Sequence, residues 1–225
     1  MKILVIDDHP LIREGMRLSL KALDSHAEIL EAQSAEEAFA LADENPELDL
    51  VLLDVNLPGM SGLCALQKYR QLHPAVPVVV LSAADDREQI MQAIDAGAMG
   101  YIPKSSKSAV MLNALRLVLS GGIYLPPEAL GREEWRSMKF LPPLPSEPAR
   151  PNLTERQLEV LRCLVEGKPN KLICRELNMA EGTVKTHITA ILKSLNVTTR
   201  TQAVIEVARL GFDFRRTSAR GVQAG

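Results

Sequence analysis

The stretch ILVIDDHP, residues 3–10, runs four apolar residues into two adjacent carboxylates, Asp7 and Asp8. A short unbroken apolar run reads as a strand buried on both faces, as in a parallel sheet. Ending such a strand on paired acids delivers two negative charges to one rim. Three further runs end on polar groups. Leu50–Leu53 leads to Asp54, Val76–Leu81 to Ser82, and Gly100–Pro103 to Lys104. A weaker run, residues 27–32, has polar interruptions that suit an edge strand. Helical patterns fill the gaps at 11–23, 35–45, 62–72, 87–96 and 107–120, with Gly97 and Gly121 as helix stops. Strand and helix alternating at this spacing predict right-handed βαβ units, an α/β fold with a doubly wound parallel five-stranded sheet. Ligands of such sheets sit at the carboxyl ends of the strands.

That rule brings Asp7, Asp8, Asp54, Ser82 and Lys104 to one rim. Crowded carboxylates repel one another, and burial raises the cost, so the group needs a cation. All-oxygen ligands favour a hard metal, best a partly hydrated Mg²⁺. Lys104 adds a point charge for a carboxylate or a phosphoryl oxygen. Ser82 can hydrogen-bond a phosphoryl group. Asp54 stands alone at its strand tip, placed to attack phosphorus and form an aspartyl-phosphate. His9, beside the acids, reads as a loop-capping or exposed histidine.

On these residues, 1–120 resemble the receiver domain of two-component response regulators, a flavodoxin-like fold. The loop DVNLPGMSG, 54–62, is similar to that family's D-x-x-M/L-P-x-x-x-G pattern. The resemblance implies Asp54 as phosphoacceptor. It implies a metal site of Asp7, Asp8, Asp54 and the backbone carbonyl of Asn56. Ser82 and Lys104 then steady the phosphoryl group, and Tyr101 takes the place of the switch aromatic. One departure is Ser105, where many receivers have proline after the lysine. It leaves the geometry of the Lys104–Ser105 bond open.

From Asn152 onward the texture is helical. Thr154 and Gln157 form a capping-box pattern ahead of an apolar face, and Gly167 stops that helix. Pro169 suits N1 of a second helix, 170–177. A third helix, EGTVKTHITAILKSL (181–195), turns Val184, Ile188, Ile191, Leu192 and Leu195 to the core. That leaves Lys185, Thr186, Thr189 and Lys193 outward, a face that suits a DNA major groove. A fourth helix spans about 201–210. Residues 153–211 resemble the LuxR-type helix-turn-helix of NarL/FixJ-class response regulators, on LTERQLEVL (153–161), PNK (169–171) and TVKTHITAILKSL (183–195). The resemblance implies base reading by Lys185, Thr186 and Thr189. Thr183, Asn170, Lys171, His187 and Lys193 would touch phosphate or fix the helix. Gln157 and Cys174 depart from common family residues, away from the reading face.

Seven of the 14 prolines fall between Pro126 and Pro151. LPPLPSEPARP, 141–151, therefore reads as a semi-rigid linker, with a short helix expected at 128–139. The expected organisation is a receiver at 1–122, a proline-rich linker at 123–151, an all-α four-helix DNA-binding domain at 152–212 and a disordered tail at 213–225. The net charge of −2 hides an asymmetry: residues 1–128 carry 10 Lys and Arg against 18 Asp and Glu, and residues 129–225 carry 16 against 10. The basic half suits nucleic acid. Mean hydropathy is near zero, and no apolar run approaches the ~20 residues of a membrane span. MKILVIDD lacks a secretory h-region, so the expected location is cytoplasmic, with no membrane partner. Cys64, Cys163 and Cys174 read as small core thiols in a reducing compartment.

The expectation is thus a regulator, not an enzyme: a histidine kinase phosphorylates Asp54 through Mg²⁺, and the chain binds double-stranded promoter DNA as a homodimer, with RNA polymerase as a further partner. A haloacid-dehalogenase-type phosphatase is the enzymatic rival, but that family wants a second Asp where Asn56 stands. A dinucleotide site fails for want of GxGxxG. A receiver working unphosphorylated, through protein contacts alone, is a third alternative. Whether the dimer uses the first and fifth receiver helices or the fourth and fifth is open.

Overall fold

The computed structural model describes residues 1–129 and 153–210. Strands β1 (Lys2–Ile6), β2 (Glu28–Ala32), β3 (Leu50–Asp54), β4 (Val78–Ser82) and β5 (Gly100–Pro103) form one parallel sheet in the order β2-β1-β3-β4-β5. The interrupted strand, β2, lies at an edge, as its polar residues require. Helices α1 (Pro10–Leu23), α2 (Ala35–Glu44), α3 (Gly62–Leu72) and α4 (Arg87–Asp95) cross between the strands, and α5 (Ser108–Leu119) follows the last strand.

The pleat divides each strand between two cores. Leu4, Ile6, Val51, Leu53, Val78 and Val80 pack with Ala38 of α2, Leu66 of α3 and Ile90 of α4. Ile3, Val5, Leu50, Leu52, Val79 and Leu81 pack with Leu20 of α1 and with Met111, Leu115 and Val118 of α5. Because every second residue faces the opposite layer, both faces need apolar residues. The strands accordingly read as unbroken apolar runs, and polar chemistry is pushed to their ends.

Three receiver helices start on side-chain caps. Ser34 accepts from Glu37 N–H, Ser61 from Cys64 N–H, and Asp86 from Gln89 N–H. Such a cap is worth roughly 1 kcal/mol. A short 3₁₀ turn at Pro127–Ala129 closes this part; the rest of the helix expected at 128–139 lies outside the described residues, as do most of the linker and the tail.

Helices α6 (Glu155–Val165), α7 (Asn170–Leu177), α8 (Glu181–Ser194) and α9 (Arg200–Arg209) enclose a separate core of Leu161, Leu164, Ile173, Val184, Ile188, Ile191 and Leu192. Thr154 and Gln157 make the expected capping box, and Thr199 with Gln202 makes a second. Gly167, at φ 79°, takes the left-handed turn that ends α6. Two expectations are corrected. Pro169 is the N-cap of α7 rather than N1, because its extended ψ of 156° places it before the first helical turn. Cys64 is exposed on α3 rather than a core thiol; Cys163 is buried as expected. Among the described residues no peptide is cis, Lys104–Ser105 included. No described helix is long and apolar enough to cross a membrane.

Candidate functional site: an acidic rim and a covered recognition helix

Asp7 follows β1, Asp54 and Ser82 close β3 and β4, and Lys104 follows β5. All four meet at the carboxyl edge of the sheet. Asp7, Asp54 and Ser82 are fully buried. Lys104 Nζ lies 2.6 Å from Asp7 Oδ2 and 2.8 Å from Asp54 Oδ2. Burial alone would depress the Lys104 ammonium, but the hydrogen bonds and charges of Asp54 and Asp7 hold it above the usual lysine value. Asp54 also accepts from Asn56 N–H at 3.1 Å, which fixes its second oxygen, Oδ1. Ser82 Oγ accepts from Ala84 N–H, and Tyr101, wholly buried, donates its hydroxyl to Ala84 carbonyl at 2.8 Å. Ser82 and Tyr101 are thereby tied to the same β4–α4 segment.

The loop after Asp54 has no room to spare. A Cβ on Gly62 would stand 2.4 Å from Val55 Cα and 2.7 Å from Asp54 carbonyl oxygen. Only glycine lets α3 begin this close to the strand tip. Arg13 steadies the opposite side. Its Nη1 donates to Asp7 carbonyl at 2.6 Å, and its Nε donates to Glu31.

One ligand atom each from Asp7, Asp8, His9 and Asp54 falls in a cluster within 4.8 Å of one another. His9 is exposed, as expected, yet its Nδ1 turns toward both acids of the pair. The donor set of three carboxylates suits a hard divalent cation.

The residues expected to contact DNA are divided. Thr183, Thr186 and Lys193 are exposed on α8, with His187 and Thr189 half-buried. Lys185 is not outward as the helical spacing implied. It is 7% exposed, and its Nζ donates to the carbonyls of Leu48 (2.6 Å) and Pro46 (3.1 Å) in the α2–β3 loop. The reason is tertiary: the first domain covers this end of α8, and two carbonyls that lack strand partners take up the ammonium. Burial depresses the Lys185 ammonium despite Glu181 one turn away. Asn170 donates to Ala75 carbonyl, and Lys171 pairs with Asp49 at 2.9 Å. Three of the eight residues read as DNA contacts are thus engaged by the first domain.

Sequence reasoning missed the residue that fastens this contact. Arg70, on α3 and only 3% exposed, donates Nη1 to Val76 carbonyl and Nη2 to Thr198 carbonyl across the domain boundary. Burial lowers its pKa to about 10. A signal was present, since Arg70 follows Leu66 by four residues on the core face of α3. A cavity of about 240 Å³ lies beside it, lined by Pro77, Met99 and Val118 from one domain and Pro169, Ile188 and Arg200 from the other. These groups stand at the amino ends of the strands, across the sheet from Asp54.

Comparison with known proteins finds two families in the chain. Residues 3–116 match the response regulator receiver domain family, and residues 151–207 match the luxR family of bacterial regulatory proteins. The chain is 38% identical over 218 residues to the glycerol metabolism activator of Pseudomonas putida, covering 94% of this chain and 96% of that protein. It is 34% identical over 205 residues to the nitrate/nitrite response regulator protein NarL of Escherichia coli strain K12, covering 91% and 94%. A LuxR-family two-component response regulator from Aurantimonas sp. SI85-9A1 superposes with a TM-score of 0.54 at 33% identity, over 57% of this chain and 91% of that one. The RcsB response regulator of Salmonella typhimurium superposes at 0.54 over 93% of this chain and 98% of its own, with 19% identity, a likeness of fold.

Proposed function

The chain belongs to the LuxR-family response regulators, transcriptional regulators that join a receiver to a helix-turn-helix, and from that premise we propose that Asp54 is its phosphoacceptor and that domain contact is what phosphorylation controls. The observation that supports the reading most is the bridge from Lys104 to both Asp7 and Asp54. It gathers groups from three strands around one side chain.

In this reading a sensor histidine kinase donates the phosphoryl group. Asp7, Asp8, Asp54 and the Asn56 carbonyl hold Mg²⁺, which supplies charge neutralisation at phosphorus. The Asn56 N–H holds Asp54 so that one oxygen faces the incoming group. Lys104 leaves its bridge to pair with a phosphoryl oxygen, and the Ser82 hydroxyl donates to another. A new charge of about −1.5 to −2 at this rim pulls the β4–α4 segment, and Tyr101 moves with Ala84. The altered receiver surface then releases Lys185, Lys171 and Asn170 for DNA. On the freed helix Lys185, Thr186 and Thr189 read bases, while Thr183, His187 and Lys193 meet phosphate or fix the helix. A homodimer on two half-sites in the bacterial cytoplasm completes the reading, with RNA polymerase as a downstream partner.

The test is mass spectrometry of the full chain with acetyl phosphate and Mg²⁺. One phosphate-sized gain on Asp54, absent in Asp54→Ala and accompanied by stronger promoter footprinting, is expected. A chain that gains no phosphate, or gains it equally in Asp54→Ala, refutes the assignment.

A further inference from the structure

The cavity between the domains has two guanidinium groups on its wall, Arg70 and Arg200. Arg70 is buried, and its terminal nitrogens donate to the carbonyls of Val76 and Thr198. Its Nε, also buried, has no hydrogen-bond partner among the described residues. Half-buried Arg200 donates Nη2 to the carbonyls of Leu164 and Lys168. A carbonyl satisfies an N–H but brings no net charge. Burial lowers both guanidinium pKa values, and no carboxylate among the described residues acts to raise either. The acid on the cavity wall, Asp49, is already met by Lys171 Nζ and by Lys2 N–H, each at 2.9 Å. Cations taken out of water are normally paired with an anion, because an uncompensated charge in low dielectric is costly.

The rest of the wall says what that anion must carry. Met99, Val118 and Leu119 face the cavity from the first domain, and Pro169 and Ile188 from the second. The volume, about 240 Å³, lies under the ~300–1,000 Å³ of sites for drug-sized molecules. The planar fork of arginine matches a carboxylate. We propose that this cavity binds a small organic monocarboxylate with an apolar body, and that the bound acid clamps the two domains together. Arg70 belongs to α3 and Arg200 to α9, so one carboxylate answers a charge from each domain while the walls bury its body between them. A ligand held only by the closed arrangement draws the equilibrium toward it. The bound acid and the phosphoryl group then act from opposite ends of the sheet. The clamp rests on the reading that domain contact restrains DNA binding; the binding site does not.

Benzoate is the probe. The full chain, isotope-labelled on its methionine methyls, is titrated with benzoate, with benzamide, which lacks the charge, and with inorganic phosphate, which lacks the body. Met99→Leu identifies the Met99 signal. Benzoate moves that signal and leaves the signal of Met60, in the Asp54 loop, in place. Benzamide and phosphate bind at least about tenfold more weakly, and Arg200→Lys, which keeps the charge but not the fork, weakens benzoate about tenfold. A Met99 signal unmoved at millimolar benzoate overturns the site, and so does an equal response to benzamide or to phosphate. These readings come from the wild type and stand even where the arginine variant fails to fold. At about ten times its dissociation constant, benzoate lowers the DNA affinity of the unphosphorylated chain by up to about tenfold. Benzoate that moves Met99 but leaves DNA affinity unchanged, in a chain that acetyl phosphate still activates, overturns the clamp and leaves the proposed function standing.

Discussion

Lys104 Nζ stands between Asp7 Oδ2 at 2.6 Å and Asp54 Oδ2 at 2.8 Å, one ammonium bridging carboxylates from two neighbouring strands. Without it, two buried acids would face each other uncompensated. Lys104→Met removes the charge and keeps most of the bulk. Breaking a buried pair costs several kcal/mol, and partial access of water to the 16%-exposed lysine reduces that to about 2 kcal/mol. Chemical denaturation should show that loss, and Mg²⁺ should restore more stability to the variant than it adds to the wild type. Equal stability without Mg²⁺ would contradict the compensating role.

Gly62→Ala puts a methyl 2.4 Å from Val55 Cα and 2.6 Å from Val55 carbonyl oxygen. Backbone cannot step aside as a flexible side chain can, so α3 or the Asp54 loop must shift. Overpacking of this kind costs about 1–3 kcal/mol. The expected result is a lower melting temperature together with slower phosphoryl uptake from acetyl phosphate. Replacing Gly15, which has nothing near its Cβ position, should leave uptake unchanged and serves as the control.

Arg70→Met deletes the guanidinium that spans Val76 and Thr198 carbonyls. The closed arrangement loses its buried fastening and leaves Thr198 carbonyl without that donor. A charged hydrogen bond is worth about 1.5–3 kcal/mol, so DNA affinity of the unphosphorylated chain should rise roughly tenfold. Fluorescence anisotropy on a promoter fragment, with and without phosphodonor, checks this. The variant should respond less to phosphodonor than the wild type, because part of the release is already done.

Acidification should tighten the domain contact. Burial raises the Glu181 carboxyl above its usual value in the closed chain. Its protonated form is favoured there, so its contribution to closure is full below the ordinary glutamate pKa and is lost as pH rises through the raised one. Asp49 works in the opposite sense. Burial pushes it up, but hydrogen bonds from Lys171 and Lys2 N–H outweigh burial and hold it below 3.8. Its loss therefore starts only at more acid pH. Small-angle scattering at about pH 7.5 and about pH 5.5 should give a smaller radius of gyration at the lower pH. Expansion on acidification would refute the sign.

Much of this was legible in the chain. The apolar runs declared the strands because each is buried on both faces, and the residues after them declared the rim because parallel strands end together. Helix starts at Ser34, Ser61, Asp86 and Thr154 carried their own caps. The burial of Lys185 was not legible. Its helix offers a face that suits water or DNA, and the carbonyls that hold it belong to residues 137 and 139 positions earlier. Arg70 showed its core-face spacing after Leu66, but its partner across the boundary was hidden for the same reason, a carbonyl 128 positions away. Local period reveals what a segment can bury against its own domain, and says nothing of a surface brought by another.

Strand β3 carries Asp49 just before its first residue and Asp54 as its last, so the two ends of the regulatory problem are separated by one strand, about 16 Å at roughly 3.3 Å per residue. Where two ligands bias one equilibrium, each must alter the other by the same factor. On the proposed reading, a promoter that captures Lys185 and strips Lys171 from Asp49 would make acyl phosphate at Asp54 easier to hold, by as much as that phosphate would strengthen the promoter's grip. The operator would then be an input as well as a destination, felt by an aspartate it never touches.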